Sequence, residues 1–220
     1  MNILVTGGSG YKGSVLIPEL LKDGHQVVSV DTNWFGDNLV SHPNLKKIKT
    51  DIREIESIPL DGIDSIIHLA NIANDPAVEL SPNLSWEVNV LSSYQLADKA
   101  LRNGVKQIIY ASSGSVYGIK EEERVTEDLP LVPVSVYNKT KMVAERVFLS
   151  FKEEMDIKCV RPATVCGFSP RMRLDVSVNM LTYQALKNGK ITVFGGNQTR
   201  PNIHIKDMVN VYKHFLKNKE

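Results

Sequence analysis

Tyr137 and Lys141 stand four residues apart in the segment Tyr137-Asn138-Lys139-Thr140-Lys141. On a helix, that spacing puts both side chains on one face. A free phenol is a poor base, because its pKa lies near 10. A neighbouring ammonium stabilises the phenolate and lowers that value. Such a phenol can exchange a proton with an alcohol while a hydride moves to or from a nicotinamide. Tyr and Lys also meet at this spacing by chance, so the pair needs partners. One is Ser112-Ser113-Gly114-Ser115-Val116-Tyr117-Gly118, which directly follows an apolar run at 107–111. A hydroxyl there can hydrogen-bond a reacting oxygen, although a Ser/Gly turn alone is ordinary loop chemistry.

The other strong signal is Thr6-Gly7-Gly8-Ser9-Gly10-Tyr11-Lys12-Gly13, with the spacing TGxxGxxG. Gly7 permits a tight strand-to-helix turn. Gly10 lets a pyrophosphate approach the backbone, and Gly13 lets the helix pack close to the strand. The helix N-terminus then presents free N–H groups to phosphate. Tyr11, inside the turn, is assigned with it to the cofactor site. No Gly-Lys-Ser/Thr follows, so this is not a P-loop. Asp31 ends the run VVSVD, about 20 residues after the turn, where a carboxylate holds the adenosine ribose. It would repel a 2′-phosphate, and Thr32-Asn33-Trp34-Phe35 supply no cation. The expected cofactor is therefore NAD rather than NADP. The plainer alternative for Asp31 is a turn cap.

Short apolar runs alternate with amphipathic segments along the chain, and these must position the groups above. Strands are expected at 2–6, 26–30, 45–49, 64–69, 107–111, 158–161 and 191–194. Helices are expected at 13–22, 82–103, 136–151, 178–188 and 206–216. Pro18 is expected in or near the first turn of its helix. Strand, helix, strand at this spacing implies right-handed crossovers and a Rossmann-type, doubly wound parallel sheet of the α/β class. Residues 1–165 form the expected NAD-binding domain and 166–205 a partial substrate lobe, with 206–220 packing back on the former.

The chain has 220 residues, enough for one well-cored domain and a small appendage. An apolar fraction of 42% with a net charge of +1 excludes a disordered chain and gives no basic excess for nucleic acid. Cys159 and Cys166 fit neither a zinc site nor a redox pair, and no metal is expected. The N-terminus enters a strand at once, without a signal peptide, and no apolar stretch reaches membrane length. A cytoplasmic enzyme with no membrane partner is expected.

In their order, TGGSGYKG, VVSVD, DIR (51–53), HLA (68–70), EVNV (87–90), YASSGSVYG, YNKTK, RPATVCG and TRPNIHIKD resemble the extended short-chain dehydrogenase/reductase family. The likeness is to its NAD-dependent epimerase/dehydratase branch. It implies that Gly7, Gly10 and Gly13 cradle the pyrophosphate, that Asp31 holds the adenosine ribose and that Asp51 and Ile52 flank the adenine. Leu69 and Ala70 would line the cofactor cleft, and Asn89 would support it. Ser113 would be the active-site hydroxyl, with Ser115 beside it on the substrate side, and Tyr137 the acid/base. Lys141 would bind the nicotinamide ribose and tune Tyr137. Arg200 would grip the nucleotide diphosphate, which suits a guanidinium.

The resemblance also narrows the reaction on a nucleotide sugar. Sugar 4,6-dehydratases resemble STDEVYG where this chain has Gly114 and Ser115, which cannot supply the acids for loss of water. Ser115 also replaces the Cys of fucose-synthase-like members. Reversible oxidation of a sugar hydroxyl remains, as a 4-epimerase or 4-dehydrogenase. The alternatives are a dehydratase or reductase of the same family, or a non-catalytic NAD-binding module. Relatives usually continue for roughly another hundred residues, by typical domain sizes, so the substrate lobe is expected to be partial. The helices at 82–103 and 136–151 often pair across a two-fold in this family to form a homodimer. The sequence alone permits a monomer equally well.

Overall fold

The β-branched runs form six parallel strands in the computed structural model, which describes residues 1–218. They are β1 (Asn2–Thr6), β2 (Gln26–Asp31), β3 (Leu45–Lys49), β4 (Ser65–His68), β5 (Gln107–Ala111) and β6 (Asp156–Val160). Their order is β3-β2-β1-β4-β5-β6, that of a Rossmann sheet. Thr6 lies opposite both Val30 and His68, and His68 opposite Tyr110. The register therefore brings the C-terminal ends of β1, β2, β4 and β5 to one edge. Chain order reverses between β1 and β4, which opens a crevice at that edge.

Both faces of the sheet are covered. On one lie α1 (Gly13–Lys22) and α7 (Ile205–Lys217), where Leu16, Ile17, Leu20, Met208, Val209 and Tyr212 pack on Ile3, Val5, Ile67 and Ile109. The segment after 205 thus packs on this face of the sheet; residues 219 and 220 of it lie outside the described residues. On the other face lie α4 (Ser92–Arg102) and α5 (Val136–Leu149), with Leu96, Ala97, Ala100, Ala144 and Phe148 on Leu4, Ile66, Ile108 and Tyr110. Each fully buried large apolar side chain contributes about 1.5–3 kcal/mol.

Three local expectations are corrected, and one helix is added. The helix expected over 82–103 is α3 (Pro82–Trp86), a π-helical turn (Glu87–Leu91) and α4, because buried Asn89 turns its amide toward neighbouring segments. Residues 191–194 form no strand; Ile191, Val193 and Phe194 are exposed. The smaller ladder instead joins β7 (Thr164–Cys166) to β8 (Asn202–His204) in parallel. Pro18 sits inside α1, beyond its first turn, where its missing N–H removes the bond to the Ser14 carbonyl. An unexpected α2 (Asp75–Leu80) follows β4, capped by Asn74 Oδ1 accepting from Ala77 N at 2.9 Å. The remaining helix, α6 (Ser177–Asn188), buries only Asn179.

Candidate active site

The glycines of the first turn differ in what they do. Gly7 has φ +71°, and a Cβ there would lie 2.7 Å from Ala70 N. A Cβ on Gly13 would lie 2.4 Å from the Gly8 carbonyl. Both are required by backbone packing. At Gly10 the one atom within 4 Å of such a Cβ is the Gly7 carbonyl, at 3.1 Å. Gly10 therefore keeps an otherwise open face at the start of α1, which fits a pyrophosphate approaching the orphan N–H groups.

Asp31 accepts from Ser9 N (3.0 Å) and Asn33 N (2.8 Å). It is thus a turn cap as well as the residue expected at a ribose, since each oxygen keeps a further lone pair. Asp51 is clasped by Arg53 (3.0–3.1 Å), whose guanidinium holds the carboxyl below its usual range. Ile52 beside it is buried in the core. Leu69 N donates to the Thr6 carbonyl and Ala70 N to Thr6 Oγ1, which fixes the wall above β4. Asn89 is fully buried: its Oδ1 accepts from Ile72 N (2.8 Å), and its Nδ2 donates to Thr140 Oγ1 (3.0 Å). It ties that wall to α5, one turn from Tyr137.

Ser135 caps α5 by accepting from Asn138 N, so the helix starts where Tyr137 and Lys141 share a face. Ser113 lies close enough to the Tyr137 phenol to favour its ionised form, and Ser113 Oγ lies 2.8 Å from Ser115 Oγ. The turn bearing these serines is anchored from beneath. Fully buried Glu145 accepts from Ser112 Oγ (2.8 Å) and pairs with Arg161, which donates to Tyr117 Oη (2.8 Å).

Lys141 is not among the charges that act most on the Tyr137 phenol. Lys141 Nζ donates to the Ala111 carbonyl at 2.8 Å and lies 5.0 Å from the Tyr110 ring centroid. Burial, then the charge of Lys12, push its ammonium well below the usual lysine value. Burial raises the Tyr137 phenol to about 12; Arg173 opposes this first, and Ser113 opposes it less. The cation that most favours the phenolate is therefore Arg173.

Arg173 was legible only as part of a polar loop. It forms an ion pair with Asp175, whose carboxylate also accepts from Asn74 Nδ2 at 2.8 Å. Asn74 itself has φ +76°. Tyr11 joins the same loop to the glycine turn: its hydroxyl donates to the Gly167 carbonyl (2.8 Å) and accepts from Asn179 Nδ2 (3.2 Å). Ser14 Oγ and Ser169 Oγ meet at 2.9 Å beside them. The glycine turn and the loop after β7 are thus one hydrogen-bonded unit. Arg200 is exposed in the segment before β8, where its carbonyl accepts from Asn202 Nδ2; it is not among the charges acting on Tyr137.

A doubly wound sheet with an open glycine turn at its C-terminal edge is the architecture of dinucleotide-binding folds. The model of the NAD dependent epimerase/dehydratase family matches residues 3–220, and the chain belongs to that family of enzymes. It is 33% identical over 226 residues to UDP-glucose 4-epimerase of Mycolicibacterium smegmatis, covering 96% of this chain and 72% of the relative. It is 31% identical over 222 residues to UDP-glucuronic acid decarboxylase 1 of Xenopus tropicalis, covering 94% of this chain and 52% of the relative. The chain therefore spans about half the decarboxylase's length. A solved structure of UDP-glucuronic acid 4-epimerase from Bacillus cereus, in complex with UDP-glucuronic acid and NAD, superposes with a TM-score of 0.85. Identity there is 28%, over 100% of this chain and 74% of that one. Among the described residues no helix is long and apolar enough to cross a membrane.

Proposed function

We propose that the chain is an NAD-dependent oxidoreductase acting on a sugar hydroxyl of a nucleotide sugar, as a 4-epimerase or 4-dehydrogenase. The observation that carries this reading is that Ser113, just past β5, and Tyr137, at the start of α5, come together at the sheet edge beside Arg173. Gly7, Gly10, Tyr11 and Gly13 would hold the pyrophosphate, Asp31 the adenosine ribose, Asp51 and Ile52 the adenine edge. Leu69, Ala70, Asn89 and Lys141 would shape the nicotinamide side. When bound, NAD supplies the hydride acceptor.

The chain's own groups then handle the proton. Ser113 hydrogen-bonds the sugar oxygen, and Tyr137 removes its proton as the carbon–hydrogen bond is broken. A phenol at about 12 performs this only with cationic help, which Arg173 provides directly. Lys141, whose Nζ is held by the Ala111 carbonyl, would bind the nicotinamide ribose. Gly114 and Ser115 offer no carboxylic acid for loss of water, which favours oxidation alone or oxidation followed by return of the hydride. Arg200 would hold the diphosphate only after its exposed segment closes on the substrate.

Mass spectrometry of products from a panel of UDP-, GDP- and dTDP-sugars with NAD tests the reading. An epimer or a keto sugar is expected. A product lighter by one water would reassign the chain to the dehydratases, and no product from any sugar would leave only a binding fold.

A further inference from the structure

Residues 167–175, which follow β7, touch three places on the sheet's C-terminal edge. At one end the Gly167 carbonyl accepts from Tyr11 Oη, and Ser169 Oγ donates to the Tyr11 carbonyl, each at 2.8 Å. Ser169 Oγ also lies 2.9 Å from Ser14 Oγ. These partners belong to the glycine turn after β1 and the start of α1. Midway, the Arg171 guanidinium lies 3.9 Å from the ring centroid of Phe35, in the loop after β2. At the far end Asp175 accepts from Asn74 Nδ2 at 2.8 Å, in the loop after β4. β2, β1 and β4 are neighbours in the sheet, and the crevice opens between β1 and β4. Anchors on all three place the segment across that crevice as a strap. Asn179 sets its curve: Oδ1 accepts from Gly167 N and Nδ2 donates to the Arg173 carbonyl, each at 2.9 Å.

The two ends are held differently. Tyr11, Ser14, Ser169 and Asn179 are all buried, and a buried polar group is costly to leave without its partner. The Asn74–Asp175 bond is exposed. So is the Phe35 ring, and a cation over an exposed ring is a weak hold. Arg173 pairs with Asp175 from within the strap and moves with it. Asn74 is also strained. Its φ of +76° and ψ of 159° lie in a region that is essentially glycine's, and strain of this kind gathers at ligand clamps and switches. Its side chain works in two directions: Oδ1 caps α2 and Nδ2 grips Asp175. The buried end therefore acts as the hinge and the exposed end as the latch.

A dinucleotide crosses this edge with its adenosine toward β2 and its pyrophosphate at the start of α1, beneath the strap. Resting on the NAD assignment above, we infer that residues 167–175 enclose the dinucleotide, and that the Asn74–Asp175 bond is the latch that must open for it to enter or leave. Both partners of the bond belong to the protein, so the latch resists entry as well as exit.

The test is stopped-flow fluorescence of NADH binding and release on the full chain, for wild type, Asn74→Asp and Asn74→Gly. Asn74→Asp keeps an oxygen for the α2 cap and sets a carboxylate against Asp175. Asn74→Gly suits the backbone and removes the same bond, so it tests the latch if the aspartate variant does not fold. Each should raise the association and release rate constants together by roughly tenfold, the factor that about 1.4 kcal/mol produces. The dissociation constant should then stay close to that of wild type. Combining Asn74→Asp with Asp175→Asn restores a donor facing an acceptor and should return both rates toward wild type. Unchanged rates in the single variants, or faster release with association unchanged, would overturn the inference while the NAD assignment stands. The second result would make Asn74 and Asp175 contacts of the bound state alone. A wild-type chain that binds no NADH would remove the NAD assignment, and the latch with it.

Discussion

The floor of the candidate site contains a histidine that should register in acid stability. His68 ends β4 with 1% of its surface exposed. Its Nδ1 lies 2.7 Å from Thr6 Oγ1 and its Nε2 3.3 Å from Ser93 Oγ. Its ring stacks on Tyr110 at 5.8 Å between centroids and leans on Phe148 at 5.5 Å. Burial, and then the charge of Lys141, lower its pKa to about 3. In the unfolded chain it titrates near 6.5. Between these values the unfolded state binds a proton that the folded state refuses. The stabilising effect of the neutral ring is therefore complete above about pH 6.5 and declines as pH falls toward the folded value. One proton is worth about 1.4 kcal/mol per pH unit, so the loss at pH 5 is about 2 kcal/mol, out of a total of about 5–15 for a typical domain. Urea unfolding at pH 7.5 and pH 5.0 should show wild type losing about 2 kcal/mol more than His68→Gln, since the surface carboxylates are common to both. Identical pH dependence in the two proteins would mean that the imidazole takes up its proton in the folded state, and that the site floor is not sealed from water.

The glycine turn offers a contrast within one motif. Gly7→Ala should lower the melting temperature sharply, because the new Cβ meets backbone at 2.7 Å and φ is +71°. Gly10→Ala should stay folded and lose dinucleotide affinity; melting curves and NAD titration together check both. Asp31→Ala should weaken NAD far more than NADP, and equal weakening measured by titration would contradict the ribose assignment. Glu145→Gln, at a fully buried partner of Arg161, should cost about 3 kcal/mol in urea unfolding, the usual range for breaking such a pair. A change under about 0.5 kcal/mol, the scale of ordinary surface substitutions, would show that the turn does not depend on it.

The sheet was readable because its strands are local apolar runs separated by helices of crossover length, and chirality leaves few ways to assemble them. β7 and β8 were less so, since each is three residues long and exists through a partner far away in the chain. The exposed 191–194 run has the right composition and no neighbour. The π-helical turn at Glu87–Leu91 follows from what the Asn89 amide bonds to, Ile72 and Thr140, which no periodicity contains. In the site, spacing alone placed Tyr137 and Lys141 on one face. It could not reveal that the Ala111 carbonyl takes the Lys141 ammonium. Arg173 was passed over for the same reason: it lies in a polar loop, and only the tertiary fold brings its charge to bear on Tyr137. Arg200 belongs to a motif that the family resemblance assigns to the diphosphate, yet its exposed position is decided by the path of the chain before β8.

Everything proposed for this chain depends on the Tyr137 oxygen handling the substrate proton. The most direct measurement is single-turnover reduction of NAD by a nucleotide sugar that wild type oxidises, followed by NADH absorbance in wild type and Tyr137→Phe, with NAD affinity measured alongside. Loss of only the phenolic oxygen should leave NAD binding unchanged and slow hydride transfer by at least about 100-fold, the lower end of what a positioned acid or base contributes. Hydride transfer at the wild-type rate in the phenylalanine variant would contradict the account.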